Sequence, residues 1–123
     1  MAVIQAPQQP THDLGGARFT SLATPSRGSL DTSVWTVEIS PGAPAMPHTL
    51  TREEVFVVLA GRADIRIGED DQSAGVGDAI VVPVDTLFEL RNAGPDVLRL
   101  LCCMPVGGQA CLDGTIFTPP WAV

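Results

Sequence analysis

Two side chains at the entrance to an apolar run could transfer protons or bind a divalent metal. His48 follows a bend rich in Pro and Gly, and Glu54 stands just before the run 55–59, V-F-V-V-L. Imidazole titrates near neutral pH, and burial raises the pKa of a carboxyl group, so the pair could serve as general acid and base. The same two groups are also ordinary ligands for zinc, iron or manganese.

The surrounding sequence predicts β-strands that would position these two side chains. Short runs of β-branched and aromatic residues bounded by Gly and Pro are typical of strands, and alternating apolar residues are typical of a half-buried sheet. In 30–39, for example, Trp35, Val37 and Ile39 share one face. No stretch has a sustained apolar period of 3.6 residues, so little helix is expected. The predicted strands span residues 18–23, 30–39, 55–59, 62–67, 79–82, 87–91 and 97–104, with a hairpin turn at 68–72.

Length and composition favour one small domain. A chain of 123 residues is enough for one core. Residues 1–13 are rich in Gln and Pro and are interpreted as a flexible N-terminal arm, with residues 14–123 as the domain. The tail 118–123, T-P-P-W-A-V, has two consecutive prolines and cannot be a central strand. We expect Trp121 to pack across the barrel surface or in a subunit contact.

Charge and missing residue types exclude several functions. The net charge of −7 disfavours nucleic acid and anionic membranes, because both need a basic surface. The chain has no Lys for a Schiff base and no Tyr for phenolic acid catalysis. Its only histidines are His12 and His48, so one chain cannot build a three-histidine metal site.

The cellular location of the protein is inferred from what the N-terminal sequence lacks. It has no basic and apolar segments of a signal peptide, and no apolar run is long enough to span a membrane, so we expect a cytoplasmic protein. An odd number of cysteines, 3, fits reduced thiols. A crosslink from Cys102 or Cys103 to Cys111 is the open alternative.

The spacing of residues 42–92 resembles the two sequence motifs of the cupin superfamily. This resemblance implies an all-β fold, the cupin jelly-roll β-barrel, with the motif residues turned towards the barrel interior. The matched positions are Gly42, His48, Glu54 and Gly61 in the first motif, and Gly77, Pro83 and Asn92 in the second.

Two of the four metal-ligand positions implied by the resemblance hold apolar residues here. Leu50 stands where the second histidine is expected, and Phe88 where the last one is expected. Asp85 also replaces a turn glycine, which is tolerable because Asp accepts turn geometry. His48 and Glu54 are therefore residual ligand positions, and two ligands make a weak site. No metal cofactor is expected; a site completed by His12 or Cys102 is the open alternative.

The same substitutions would line the barrel with apolar surface beside one imidazole and one carboxyl group. That combination is typical of a pocket for a small molecule. Trp35 and Phe56 could stack on a planar ligand, although aromatic residues on strands are most often core. The predicted site comprises His48 and Glu54 as catalytic residues, with Trp35, Leu50, Phe56, Phe88 and Cys102 as substrate-binding residues.

Three functions fit this sequence. The first is a metal-independent enzyme in which His48 and Glu54 move protons during isomerisation, cyclisation or dehydration of an apolar or aromatic molecule, as in some natural-product cupins. The second is a non-catalytic binding or sensing protein in which the pair is an unused relic. The third is a metal-dependent oxygenase or isomerase with an unusual ligand set. The resemblance also implies a homodimer formed through outer strand faces.

Overall fold

Antiparallel strands make up nearly all the regular structure of residues 2–123, the part of the chain that the computed structural model describes. Two single 3₁₀ turns, Pro25–Arg27 and Pro120–Ala122, complete it. Within residues 2–123 no helix has the length and apolar character needed to span a membrane. The strands are β1 (His12–Leu14), β2 (Ala17–Ala23), β3 (Thr32–Ile39), β4 (Thr49–Leu50), β5 (Glu54–Ala60), β6 (Ala63–Ile67), β7 (Asp70–Ala74), β8 (Ala79–Val82), β9 (Phe88–Asn92), β10 (Leu98–Pro105), β11 (Ala110–Leu112) and β12 (Thr115–Phe117).

The strands form two layers around one apolar core, which confirms the predicted all-β fold. The first layer is a six-stranded sheet in the order β1-β2-β3-β10-β5-β8. The second contains two three-stranded sheets, β12-β11-β4 and β7-β6-β9. His48 and Phe88 link these two sheets, because each backbone N–H donates to the other's carbonyl oxygen at 3.0 Å.

All seven predicted strands are present, with ends that differ from the prediction by at most two residues. The alternation of apolar residues in the sequence also predicted which face of each strand points into the core. Trp35 and Val37 are buried on β3, as are Ala63 and Ile65 on β6, whereas Arg66 is exposed. Burial of these side chains removes apolar surface from water, the main driving force for packing the two layers.

The polar strand β7 and the short strands were not predicted. The structure places β7 over most of the segment expected to be the turn 68–72, so that expectation is wrong there. Its polar side chains are exposed because β7 is an edge strand that pairs only with β6. Strand β1 also includes His12 and Asp13, which lie in the predicted arm and pair with β2. The flexibility of the other arm residues stays a prediction, and Met1 lies outside the described residues.

Several residues of the two motifs fix turns. Gly61 has φ of 81°, and a Cβ atom there would lie 2.7 Å from the carbonyl oxygen of Val97, so only glycine fits. Asp85 adopts φ of 56°, the left-handed conformation that Asp accepts more readily than most residues. The Asn92 side-chain amide donates to the Ile39 carbonyl oxygen at 2.9 Å. These motif positions therefore have structural roles in this chain.

Residues 119–123, which we call the C-terminal strap, cross the sandwich and are held by three serine hydroxyls. Two of these serines, on β2 and β3, point inward and are buried. The bonds run from Ser21 Oγ to the Trp121 carbonyl at 2.7 Å, from Ser33 Oγ to the Ala122 carbonyl at 2.6 Å, and from Ser26 Oγ to the Val123 carbonyl at 2.7 Å.

The hydroxyl of Ser33 should contribute measurably to stability. Ser33→Ala would leave the Ala122 carbonyl buried without its partner, which typically costs about 1–3 kcal/mol. We expect a loss of that size in the free energy of unfolding, measured by denaturant titration.

Ser29 provides the matched control for this substitution. Its Oγ atom is buried but has no hydrogen-bond partner among residues 2–123. Ser29→Ala should therefore leave the free energy of unfolding unchanged or raise it, because a desolvated hydroxyl without a partner is unfavourable. Equal losses for both variants would contradict the role assigned to the strap.

Candidate functional site

A cavity of about 160 Å³ lies between the two layers. Its walls are almost entirely apolar and are formed by inward side chains of both layers. Leu14, Gly15 and Pro44 line it and are exposed to solvent, so they mark its opening. An engineered apolar cavity of roughly this size binds benzene, so the space suits one small ring.

The structure brings all seven predicted site residues to this one cavity, although their chemical roles stay predictions. Four of them lie on three strands of the first layer. The other three lie at or next to the backbone pairing of His48 with Phe88 in the second layer. The seven are Trp35, His48, Leu50, Glu54, Phe56, Phe88 and Cys102.

Strand register places the residues of the first layer in one inward row. Cys102 on β10 pairs with Trp35 on β3 and with Phe56 on β5, so the three side chains lie side by side. All three are buried. Glu54 precedes Phe56 by two residues on β5, and the alternation of the strand turns it into the cavity as well.

His48 is held with one ring nitrogen free. Its Nδ1 lies 2.7 Å from the carbonyl oxygen of Met46, and a carbonyl only accepts, so Nδ1 carries the proton. The ring also contacts Phe88, with 4.4 Å between ring centroids. Burial lowers the pKa of His48, and the bond to Met46 only partly opposes this. The imidazole is therefore neutral at pH 7, with a lone pair on Nε2.

Glu54 is a buried carboxyl group without a protein partner. The residue is 5% exposed, with its carboxyl oxygens accessible from the cavity that it lines, and its side chain makes no hydrogen bond or ion pair with residues 2–123. Burial raises the pKa of Glu54 to about 8, so the group is protonated at neutral pH. Burial also raises the pKa of the neighbouring Cys102 thiol, and proximity to Glu54 raises it further. The three cysteines are free thiols.

The side chains present do not fit a divalent metal. Leu50 and Phe88 fill the other two ligand positions implied by the motifs, and neither side chain can coordinate one. His12 does not reach the cavity, because its Nδ1 contacts Thr11 Oγ1 at 2.8 Å and its ring lies near Trp121 in a T-shaped arrangement. Among residues 2–123 no three His, Cys, Asp or Glu side chains cluster as ligands, with or without Cys102.

Three aromatic residues of the cavity wall, Phe19, Phe117 and Trp121, were missed in the sequence. Trp121 was expected on the barrel surface or in a subunit contact; the first placement is wrong, because Trp121 is half-buried and lines the cavity, and the second stays a prediction. Its ring stacks on Phe19, with 3.7 Å between centroids and 8° between the ring planes. Phe19 could have been predicted to line the cavity, because its position on β2 turns its side chain inward. Trp121 gave no such signal, since it projects from a 3₁₀ turn after two prolines.

The fold and the cavity define a small antiparallel β-sandwich that encloses a ligand-sized apolar space. The family model described as the cupin domain matches residues 35–104, more than half of the 123 residues. The chain therefore belongs to the cupin domain family.

Individual relatives support the fold and leave the function open. KdgF from Halomonas sp. is 20% identical, with a TM-score of 0.68 over 80% of this chain and 86% of that one. An RmlC-like cupin from Shewanella frigidimarina is 16% identical, with a TM-score of 0.67 over 82% and 84% of the two chains. An uncharacterized protein of Methanocaldococcus jannaschii is 32% identical over 53 residues, which is 43% of this chain and 42% of that protein.

The raised pKa of Glu54 predicts a pH-dependent loss of stability. Below pH 4.5 the carboxyl group is protonated in both folded and unfolded chains. As the pH rises towards 8, the unfolded chain releases the proton and the folded chain retains it. Stability should then fall by up to roughly 1.4 kcal/mol per pH unit. Glu54→Gln removes this contribution, so its stability relative to wild type should rise across that range and then level off.

Urea unfolding at a series of pH values would measure this difference. Glu53→Gln is the matched control, because Glu53 is exposed on the adjacent position and carries the same chemical change. The control should follow the wild-type pH dependence. A constant difference between Glu54→Gln and wild type from pH 5 to 8 would contradict the assignment of a buried, protonated Glu54.

Proposed function

We propose that this cupin is a metal-independent acid–base enzyme that acts on a small apolar or aromatic organic molecule. One observation carries the proposal. Glu54 is buried in the wall of an apolar cavity with no hydrogen-bond partner among residues 2–123, and His48 lines the same cavity with Nε2 unpaired. Polar groups in such a wall take their hydrogen bonds from whatever fills the cavity, and a ligand that carries an oxygen atom would supply them in place of water.

The protonation states suit transfer of a proton from one side of a ligand to the other. Protonated Glu54 can donate to an oxygen of the ligand, while neutral His48 accepts a proton through Nε2. After this step the two groups are charged and of opposite sign. In an isomerisation, His48 then returns its proton to a different atom of the ligand while Glu54 takes back the proton it donated, which restores both groups. General acid and base groups work best with pKa values near the operating pH, and the pKa of about 8 places Glu54 in that range. The lowered pKa of His48 keeps its imidazole in the neutral form that a base needs.

The reaction classes that need only such a pair are isomerisation, cyclisation and dehydration. Each moves protons without electron transfer. The apolar wall would hold the hydrocarbon part of the substrate, with the rings of Trp35, Phe56 and Phe88 available for stacking. The polar pair would then fix the orientation of the oxygen-bearing end. Leu50 and Phe88 would thus shape the apolar cavity, at positions where a complete set of metal ligands would hold a charged metal ion.

We also propose that two copies associate through the outer face of the six-stranded sheet. On this face the register aligns Cys103 with Val55, and Val55 with Val81, across three strands. The next row aligns Leu101 with Val57. Val81 is 50% exposed, and a continuous apolar strip of this kind marks interaction surfaces. A second copy presents the same strip, which gives the self-complementary contact of a two-fold dimer.

Paired glutamine variants separate catalysis from binding. His48→Gln and Glu54→Gln keep much of the shape and polarity but remove the proton-transfer group, so we expect near-normal ligand affinity with turnover reduced about 100 to 10,000-fold. Candidate compounds would be screened by binding, and turnover would then be followed by NMR in the presence of a chelator. Arg66→Gln, an exposed change on β6, serves as the control and should leave both quantities unchanged.

The same screen identifies the rival functions. If the parent protein binds compounds tightly and transforms none, the binding or sensing function is favoured. If turnover disappears with chelator and returns with a divalent metal, the metal-independent proposal is wrong.

The proposed dimer can be tested with a single charged substitution. Val57→Glu places a carboxylate in the middle of the apolar strip and should convert a species of twice the chain mass into monomer. Light scattering after size exclusion would measure the mass. Ile116→Glu, at an exposed position on β12 of the second layer, is the control and should stay dimeric. A monomeric wild-type protein would contradict the proposed association.

A further inference from the structure

The C-terminal strap forms one wall of the cavity from outside the sheets, as the loop residues Ala43, Pro44 and Met46 do elsewhere. Trp121 projects from the 3₁₀ turn Pro120–Ala122, whereas Trp35, Phe56 and Phe88 project from strands. Pro119, just before this turn, also lines the cavity and is buried. The strap therefore closes a space that the two layers alone would leave wider.

The inward faces of β2 and β3 are built to receive this strap. Ser21 and Ser33 occupy inward positions, where a sandwich core normally has apolar side chains. Their hydroxyl groups donate to the Trp121 and Ala122 carbonyl oxygens at 2.7 and 2.6 Å. Because these bonds reach backbone atoms, the position of the strap does not depend on the indole ring.

The indole ring itself stacks face to face on one other ring. It lies parallel to Phe19, at 3.7 Å between centroids, and both rings line the cavity. The His12 ring lies near the indole in a T-shaped arrangement, with 6.5 Å between centroids. A smaller side chain at position 121 would thus leave the strand framework in place and add the volume of the indole to the cavity.

The size of the cavity limits the size of the molecule that can bind in it. The volume of about 160 Å³ is close to that of an engineered cavity that holds one benzene ring, so a second fused ring would have to compete with the wall for space. We propose that the stacked Phe19 and Trp121 side chains determine ligand specificity, restricting the cavity to small molecules with a single ring. The inference rests on the proposed function only in taking this cavity as the ligand site.

Two neutral probes of different size test the restriction: phenol and 1-naphthol, each titrated calorimetrically into the full chain. Wild type should bind phenol in preference to 1-naphthol, although the larger apolar surface of 1-naphthol favours binding wherever it fits. Trp121→Ala should gain affinity for 1-naphthol by at least about tenfold. Trp121→Phe keeps an aromatic ring against Phe19 and should preserve the wild-type preference.

Trp121→Leu replaces the alanine variant if circular dichroism shows that Trp121→Ala is unfolded. The specificity role is overturned if the folded small variant keeps the wild-type size limit. It is equally overturned if wild type binds both probes alike or binds neither.

These results are separable from the test of catalysis. His48→Gln and Glu54→Gln should keep the size limit, because neither side chain belongs to the strap or to its serine contacts. A protein that retains the limit but transforms no compound refutes only the proposed enzyme. A protein that needs His48 and Glu54 for turnover but accepts 1-naphthol as readily as phenol refutes only the specificity role.

Discussion

The site depends on the pair of backbone hydrogen bonds between His48 and Phe88. These two bonds, each 3.0 Å, join the sheet containing β4 to the sheet containing β9 and so complete the second layer. The same link sets the His48 imidazole against the Phe88 ring and turns both into the cavity. A change in this pairing would therefore alter the shape of the layer and the chemistry of the site together.

Replacing two ligand positions with Leu50 and Phe88 changes the electrostatics of what remains. A bound cation would favour the charged form of Glu54, since an opposite charge nearby stabilises a carboxylate. Apolar neighbours provide no such stabilisation, and burial alone raises the pKa of Glu54 to about 8. Without the two further ligands, the wall of the cavity holds a neutral carboxyl group and a neutral imidazole, where a complete ligand set would hold a Lewis acid.

Alternation and motif spacing predicted most of the fold and much of the cavity. The inward phases of β3, β5 and β10 were readable because each strand has one buried and one less buried face. β7 was missed because its pairing uses backbone bonds at a sheet edge, which leave no apolar pattern. Trp121 was misplaced because its position depends on serines about 90 and 100 residues earlier in the chain, and local sequence carries no record of such contacts.

The buried polar groups of the interior differ in how their hydrogen bonds are satisfied. Ser21 and Ser33 are satisfied by backbone carbonyls of the strap, so their presence has a structural explanation. Glu54 has none among residues 2–123, and a buried carboxyl group without a partner is unfavourable for folding. An apolar side chain of similar volume would make the sandwich more stable. Under the proposed function a ligand in the cavity would supply the hydrogen bonds of Glu54, which is why its chemistry and the contents of the cavity have to be determined together.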